Sequence, residues 1–184
     1  DYRVRCDDHM WPIMLAYSII CETGDASVLE KKVCYLADDH FGEGAEATVW
    51  EHLMAAVGFT QNNLGSHGLP LTYNGDWNDI IHKFSSKGKG ESVFAAQQYV
   101  FILDLMAKMA EFTGNTDNCE ILKKYKNQQQ KNILACAWNG KWWYRCFDDD
   151  GNPIGGENDV FGKIWINSQT WSVIGNCGTK EMQR

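Results

Sequence analysis

Residues 91–115, ESVFAAQQYVFILDLMAKMAEFTGN, carry the pattern on which the fold turns. Phe94, Gln97, Val100, Phe101, Leu103, Leu105 and Met109 recur at helical spacing, which predicts a strong helix from Glu91. It closes at Phe112-Thr113-Gly114-Asn115, where a glycine follows the last apolar residue and stops the helix. The same ending occurs at Thr23-Gly24-Asp25, after another apolar helix and before another helical segment. Two such endings roughly 90 residues apart, about two helical hairpins, are a weak internal repeat of the kind that stacked or toroidal αα-hairpins produce.

Outward from there the chain stays helical. Asp7-Asp8 are candidate caps for a helix whose apolar positions read Trp11, Met14, Leu15, Ser18 and Ile19. Val28 to Ala37 reads as a second, short helix, and Ala45 to Phe59 as a third with Val49, Trp50, Leu53, Met54 and Val57 on its face. Thr60 to Asp79 form a long glycine-bearing loop. After the helix that begins at Glu91, another runs from about Asp117 to Trp138, and Ile164 to Ile174 resumes the helical pattern. Between these two, Lys141 to Phe147 reads as a short strand turned by Asp148-Asp149-Asp150-Gly151-Asn152-Pro153, a β-hairpin-like insertion. The expected architecture is mainly α, one structural unit, with functional loops at one end of its helices.

Composition narrows the function. The 184 residues are 44% hydrophobic with three prolines, so the chain is ordered and globular. A net charge of −7 disfavours nucleic acid as the main ligand, and the lysine clusters 83, 87, 89 and 123, 124, 126 read as solvated faces. Seven cysteines, odd in number and without a CxxC pair, fit free and mostly buried thiols in a reducing cytoplasm. No apolar run approaches the roughly 18–20 residues that span a bilayer, and no secretory signal is visible. His9, His40, His52, His67 and His82 lack metal-ligand spacing, and there is neither a GxSxG elbow nor a P-loop. Neither metal catalysis nor a cofactor is indicated.

Acidic loop residues remain. Gly75-Asp76-Trp77-Asn78-Asp79 places two carboxylates and an indole within five residues, beyond the breakers Gly65, Gly68, Pro70 and Asn74. An indole face suits a sugar ring, and carboxylates suit proton transfer and hydroxyl recognition. A surface turn with Trp77 in the core and Asp76 or Asp79 as a cap is the competing explanation. Asp79 has only Lys83 as a basic neighbour in sequence. Partly desolvated by aromatic neighbours, its acid form would be favoured, as protonating a glycosidic oxygen requires. Asp76 then orients Asn78 or a hydroxyl, and Asp7, Asp8 and Trp11 approach the sugar, with capping and core packing as their competing explanation. Glu91, Gln169 and Trp171 are read as structural.

His67-Gly68-Leu69-Pro70 followed by Gly75-Asp76-Trp77-Asn78-Asp79 resembles the signature of the cellobiose and chitobiose phosphorylase family, glycoside hydrolase family 94. The likeness is collinear: Asp7-Asp8-His9-Met10-Trp11, Glu22-Thr23-Gly24-Asp25, Glu51-His52-Leu53, Lys89-Gly90-Glu91-Ser92-Val93, Ala137-Trp138-Asn139-Gly140 and Lys163 to Trp171 follow in order. The resemblance implies a segment of an (α/α)6 barrel performing inverting phosphorolysis of a β-linked glucoside. The products are an α-sugar 1-phosphate and a shortened sugar, with inorganic phosphate as co-substrate. It maps the general acid to Asp79 and a sugar-site wall to Trp77. Because phosphate is already an anionic nucleophile, one carboxylic acid suffices where an inverting hydrolase needs two.

The family's upstream Arg-Asp-x-x-Gln-Asp and downstream Lys-Glu-Asn-Gly-Gly segments have no counterpart, and Ile80 stands where the family often has a small residue. Residues 1–184 are therefore expected to be an internal part of the barrel, with the phosphate site outside it and with apolar helix faces that leave the isolated polypeptide unstable. Phosphorylases of this type often pair, which leaves a homodimer open for the full-length protein. An inverting hydrolase on the same toroid, a glucan synthase bearing such a domain, and a non-catalytic carbohydrate-binding scaffold remain as alternatives.

Overall fold

The computed structural model describes residues 4–36 and 43–183. In order, the elements are helix α1 (Trp11–Thr23), strands β1 (Lys32–Leu36) and β2 (Glu43–Thr48), helix α2 (Val49–Asn62), strand β3 (Glu91–Ser92), helices α3 (Val93–Phe112) and α4 (Thr116–Cys136), strands β4 (Cys146–Phe147) and β5 (Pro153–Ile154), and helix α5 (Ile166–Ile174). Short 3-10 turns occupy Asp8–Met10, Ser27–Glu30 and Asp79–Phe84. The chain is mainly α with two small antiparallel sheets, β1-β2 and β3-β4-β5.

Helix α3 is apolar nearly all round, so it is the buried axis. Helices α1, α4 and α5 pack on it. On one side Tyr99, Leu103, Met106 and Met109 meet Ile13, Ala16 and Ile20 of α1 and Leu53 and Val57 of α2. On the other, Val93, Ala96 and Val100 meet Ile133, Trp143 and Phe147. The repeated endings are structural equivalents. Gly24 and Gly114 both adopt positive φ (69° and 74°), which glycine reaches without a Cβ penalty. Thr23 and Thr113 donate their hydroxyls to the carbonyls of Ile19 and Met109. Asp25 and Asn115 then accept from the backbone N–H groups of Ser27 and Asn118, starting the next turn of helix.

The structure corrects the sequence reading at several places. Val28 to Leu36 is a 3-10 turn followed by a strand, because Lys32, Val33 and Cys34 find antiparallel partners in Thr48, Ala47 and Glu46; Ala37 lies outside the described residues. Helix α2 starts at Val49 rather than Ala45, where Thr48 and Glu51 form a reciprocal capping box. Helix α1 buries Ile13, Ala16 and Ile20, with Trp11 and Met14 of the predicted stripe partly buried against the core, while Leu15 and Ile19 of that stripe face solvent at 63% and 38% exposure. Asp7 and Asp8 cap nothing: the turn begins at Asp7 without a side-chain hydrogen bond. The strand predicted from Lys141 shortens to Cys146–Phe147, and Glu91 precedes α3 as part of β3 instead of opening it.

Glu91 has a different task from the helix-dipole role its position suggested. It is 1% exposed and accepts from the backbone N–H groups of His67 and Leu69 (3.0 Å each) and from the His67 ring (2.5 Å), pinning the long loop. A Cβ on Gly65 would fall 2.5 Å from the Glu91 side chain. Gly65→Ala is therefore expected to destabilise the protein by about 1–3 kcal/mol in urea unfolding. His9 is half-buried against Phe59 and hydrogen-bonded to Thr60 Oγ1 at 2.6 Å. Burial lowers its pKa from 6.5 to about 4. Between those values the unfolded chain takes up the proton and the folded one does not, so His9 makes stability fall as pH drops from about 6.5 to 4. Stability curves of His9→Gln should be flatter across that window.

Candidate active site

The loop after α2 is shaped by backbone pairing at a distance. Arg5 bridges Tyr73, Cys6 N–H donates to the Gly75 carbonyl (2.9 Å), and Asn74 N–H donates to that of Val4 (3.0 Å). Gly75 takes φ 141° at this crossing. The N-terminal segment is thus laid alongside the Gly-Asp-Trp-Asn-Asp loop. A cavity of about 500 Å³ opens between them, walled by Arg5, Asp7, Asp8 and Trp11 on one side and Asp76, Trp77 and Asp79 on the other. Five of the six predicted site residues meet here.

Their roles separate once burial is known. Asp76 is fully buried, and its carboxylate accepts from Arg145 Nη2 (2.5 Å), Ser92 Oγ (2.6 Å) and the Asn78 backbone N–H (2.9 Å). Arg145 is equally buried, its guanidinium 5.7 Å from the centre of the Phe94 ring. The β3-β4 pairing of Ser92 with Cys146 brings this arginine under the loop. Asp76 therefore anchors the loop from beneath and orients Asn78 through the backbone. Asn78 does not line the cavity: its side-chain oxygen accepts from Ile80 N–H and caps the Asp79–Phe84 turn.

Asp79 stands at the rim. The aromatic enclosure expected around it is absent: its side chain is 72% exposed, and Oδ1 lies 2.9 Å from Arg5 Nη2. The reason is that Trp77 itself is 69% exposed and shields little, while the N-terminal segment delivers an arginine that local sequence does not reveal. Trp77 lies 6.1 Å from Trp11, which in turn meets Trp171 edge-on at 5.8 Å. An aromatic path thus runs from the cavity to the core. Trp171 supports that path, and Gln169 clamps the Trp143 backbone through both its N–H and its carbonyl.

In the sequence Asp7 reads as a cap or as a neighbour of the sugar site. It is 2% exposed, with Oδ2 accepting from the Trp11 indole N–H at 3.1 Å and Oδ1 without a hydrogen-bond partner among the described residues. Burial raises its pKa from 3.8 to about 6, against the Trp11 hydrogen bond and with help from Asp76 and Asp8. Arg145 had one readable signal: in a strand, residue 145 shares a face with Trp143 and Phe147, an inward position that obliges an arginine to find a buried acid.

No group of His, Cys, Asp and Glu suited to hold a metal ion occurs among the described residues, and no helix there is long and apolar enough to cross a membrane. All seven cysteines are free, with Cys6, Cys119, Cys146 and Cys177 buried and Cys21 and Cys34 exposed.

Comparison with known proteins adds the following. The family model described as "Glycosyl hydrolase 94 superfamily, catalytic domain" matches residues 2–184. The chain is 32% identical over 182 residues to the solabiose phosphorylase of Paenibacillus borealis, covering 98% of this chain and 23% of that protein. It is 30% identical over 175 residues to the 3-O-β-D-glucopyranosyl-β-D-glucuronide phosphorylase of the same organism, covering 95% and 22%. It is 24% identical over 187 residues to the cyclic β-(1,2)-glucan synthase NdvB of Rhizobium meliloti, covering 95% and 7%. The chain thus spans less than a quarter of the length of these relatives.

Proposed function

The chain belongs to the glycosyl hydrolase 94 superfamily, and on that footing we propose that it forms the acid-bearing wall of a glycoside phosphorylase active site, one segment of a larger (α/α)6 barrel. The observation that carries this reading is the cavity that Asp79 shares with the Trp11–Trp77 pair, lined by acidic and basic groups. A β-linked sugar lies against the indoles, and Asp79 protonates the glycosidic oxygen as phosphate attacks the anomeric carbon from the opposite face, inverting it. Before that step Asp79 parts from Arg5 and takes up a proton. Both side chains are well exposed, and such pairs contribute about 0–1 kcal/mol, so parting costs little. The relatives named as phosphorylases support phosphate as the nucleophile. The anion itself is assigned to parts of the barrel beyond these residues. Exposed Leu15 of α1, Ile166 of α5 and Phe161 in the segment before α5 (63%, 72% and 89%) are consistent with surfaces covered by the remaining barrel.

One feature supports a second reading. Asp7 and Asp8 share the cavity with Asp79, and an inverting hydrolase needs a second carboxylate to activate water. Phosphate dependence separates the two. With the complete enzyme and a panel of β-linked glucose and N-acetylglucosamine disaccharides, release of sugar 1-phosphate only when phosphate is present upholds phosphorolysis. Equal release of reducing sugar without phosphate makes it a hydrolase, and no turnover with retained binding makes it a scaffold. In the same assay Trp77→Ala should raise KM about three- to tenfold, the scale of one aromatic contact.

A further inference from the structure

A buried carboxylate oxygen with no partner is costly, and native structures seldom leave one without reason. Among the described residues Asp7 is such a group. It lies on the cavity wall at 2% exposure, and Trp11 holds its Oδ2 so that the carboxylate plane is set and Oδ1 is left over. Trp11 is also the ring that meets Trp77, so the residue that positions Asp7 is one of the two aromatic walls of the cleft. Among the described residues the other charged groups around the same cavity are Asp8, Asp76, Asp79 and Arg5; of these Arg5 is paired with Asp79 and Asp76 with Arg145. None of them satisfies Oδ1. We propose that Asp7 is a sugar-binding residue of this cleft, its Oδ1 reserved for one hydroxyl of the glycosyl ring lying against Trp11 and Trp77. The assignment rests on the glycoside-binding reading above. Burial of Asp7 also favours its protonated form up to about pH 6, so the carboxyl donates to the hydroxyl below that pH and accepts from it above.

The test removes hydroxyls one at a time. Binding of a β-glycoside and its monodeoxy analogues to the complete protein is measured by calorimetry without phosphate, and phosphorolysis of the same series is measured separately. In the unsubstituted protein, loss of one particular hydroxyl should weaken binding about 10- to 100-fold, the scale of a buried hydrogen bond to a charged group. In Asp7→Ala that penalty should fall to within about twofold of unity while the penalties at other hydroxyls persist. Asp7→Asn, which keeps the shape, should shrink the same penalty and serves if Asp7→Ala does not fold. The assignment is overturned if both variants weaken every sugar by one common factor and leave the penalty profile intact, as a purely structural residue would. Binding with the predicted profile but no phosphorolysis upholds Asp7 and overturns the phosphorylase reading; failure of every β-glycoside to bind overturns both.

Discussion

Asp79→Asn is expected to lower kcat of the complete enzyme by about 10²- to 10⁴-fold, the usual contribution of a positioned general acid, while sugar binding stays within a few-fold. The side chain is 72% exposed and its ion pair with Arg5 is at the surface, so the replacement should barely affect stability, and loss of activity cannot be blamed on unfolding. A proton donor matters in proportion to the basicity of the departing oxygen. Aryl β-glycosides with acidic leaving groups should therefore lose much less rate in the variant than a disaccharide does. Steady-state kinetics over a leaving-group series reads this directly. Equal losses across the series, or a rise in KM with kcat unchanged, would show Asp79 to be a binding residue only.

The second large effect is structural. Asp76 and Arg145 are both fully buried and joined at 2.5 Å, with Ser92 and the Asn78 backbone completing the carboxylate's partners. Removing one member leaves the other charged in an apolar setting, so Asp76→Ala or Arg145→Met is expected to cost about 3–5 kcal/mol. The double replacement should cost clearly less than the two singles together, because it strands no charge. Urea unfolding of the three variants measures the coupling. Single variants within about 0.5 kcal/mol of the unsubstituted protein would mean that the pair is not the anchor of the loop. Where the singles fold, they should also lose activity, since the Asn78 N–H that precedes Asp79 is held by the same carboxylate.

How far the sequence could be read differs from element to element. Helix α3 was legible because a buried helix repeats its apolar positions over many turns, and because Gly114 closes it, as Gly24 closes α1, by a mechanism local to a few residues. Strand β1 was not, since five residues after a 3-10 turn become a strand only when Glu43–Thr48 lies beside them. The face of α1 was only partly legible for a related reason: Trp11 and Met14 do pack on the core, but Leu15 and Ile19 are as apolar as Ile13 and Ile20, and periodicity alone does not say which row meets α3. In the site, Asp79 and Trp77 stood out as chemistry without a local structural duty. Arg5 and Arg145 did not, because each pairs with an aspartate far along the chain, Asp79 and Asp76, and the unpartnered oxygen of Asp7 shows only in three dimensions.

The sequence by itself determined the family, the mainly α character and the presence of the Asp-Trp-Asn-Asp loop, all of them properties carried by short-range spacing and collinear motifs. Only the tertiary structure decided how the four acids Asp7, Asp8, Asp76 and Asp79 divide their work. Burial and partner geometry separate a carboxylate locked to Arg145, a carboxyl with a free oxygen in the cleft wall, and an exposed one beside Arg5. An aspartate's environment is set by which distant segments enclose it, and for these the enclosure comes from the N-terminal segment crossing at Gly75 and from the β3-β4 pairing beneath the loop.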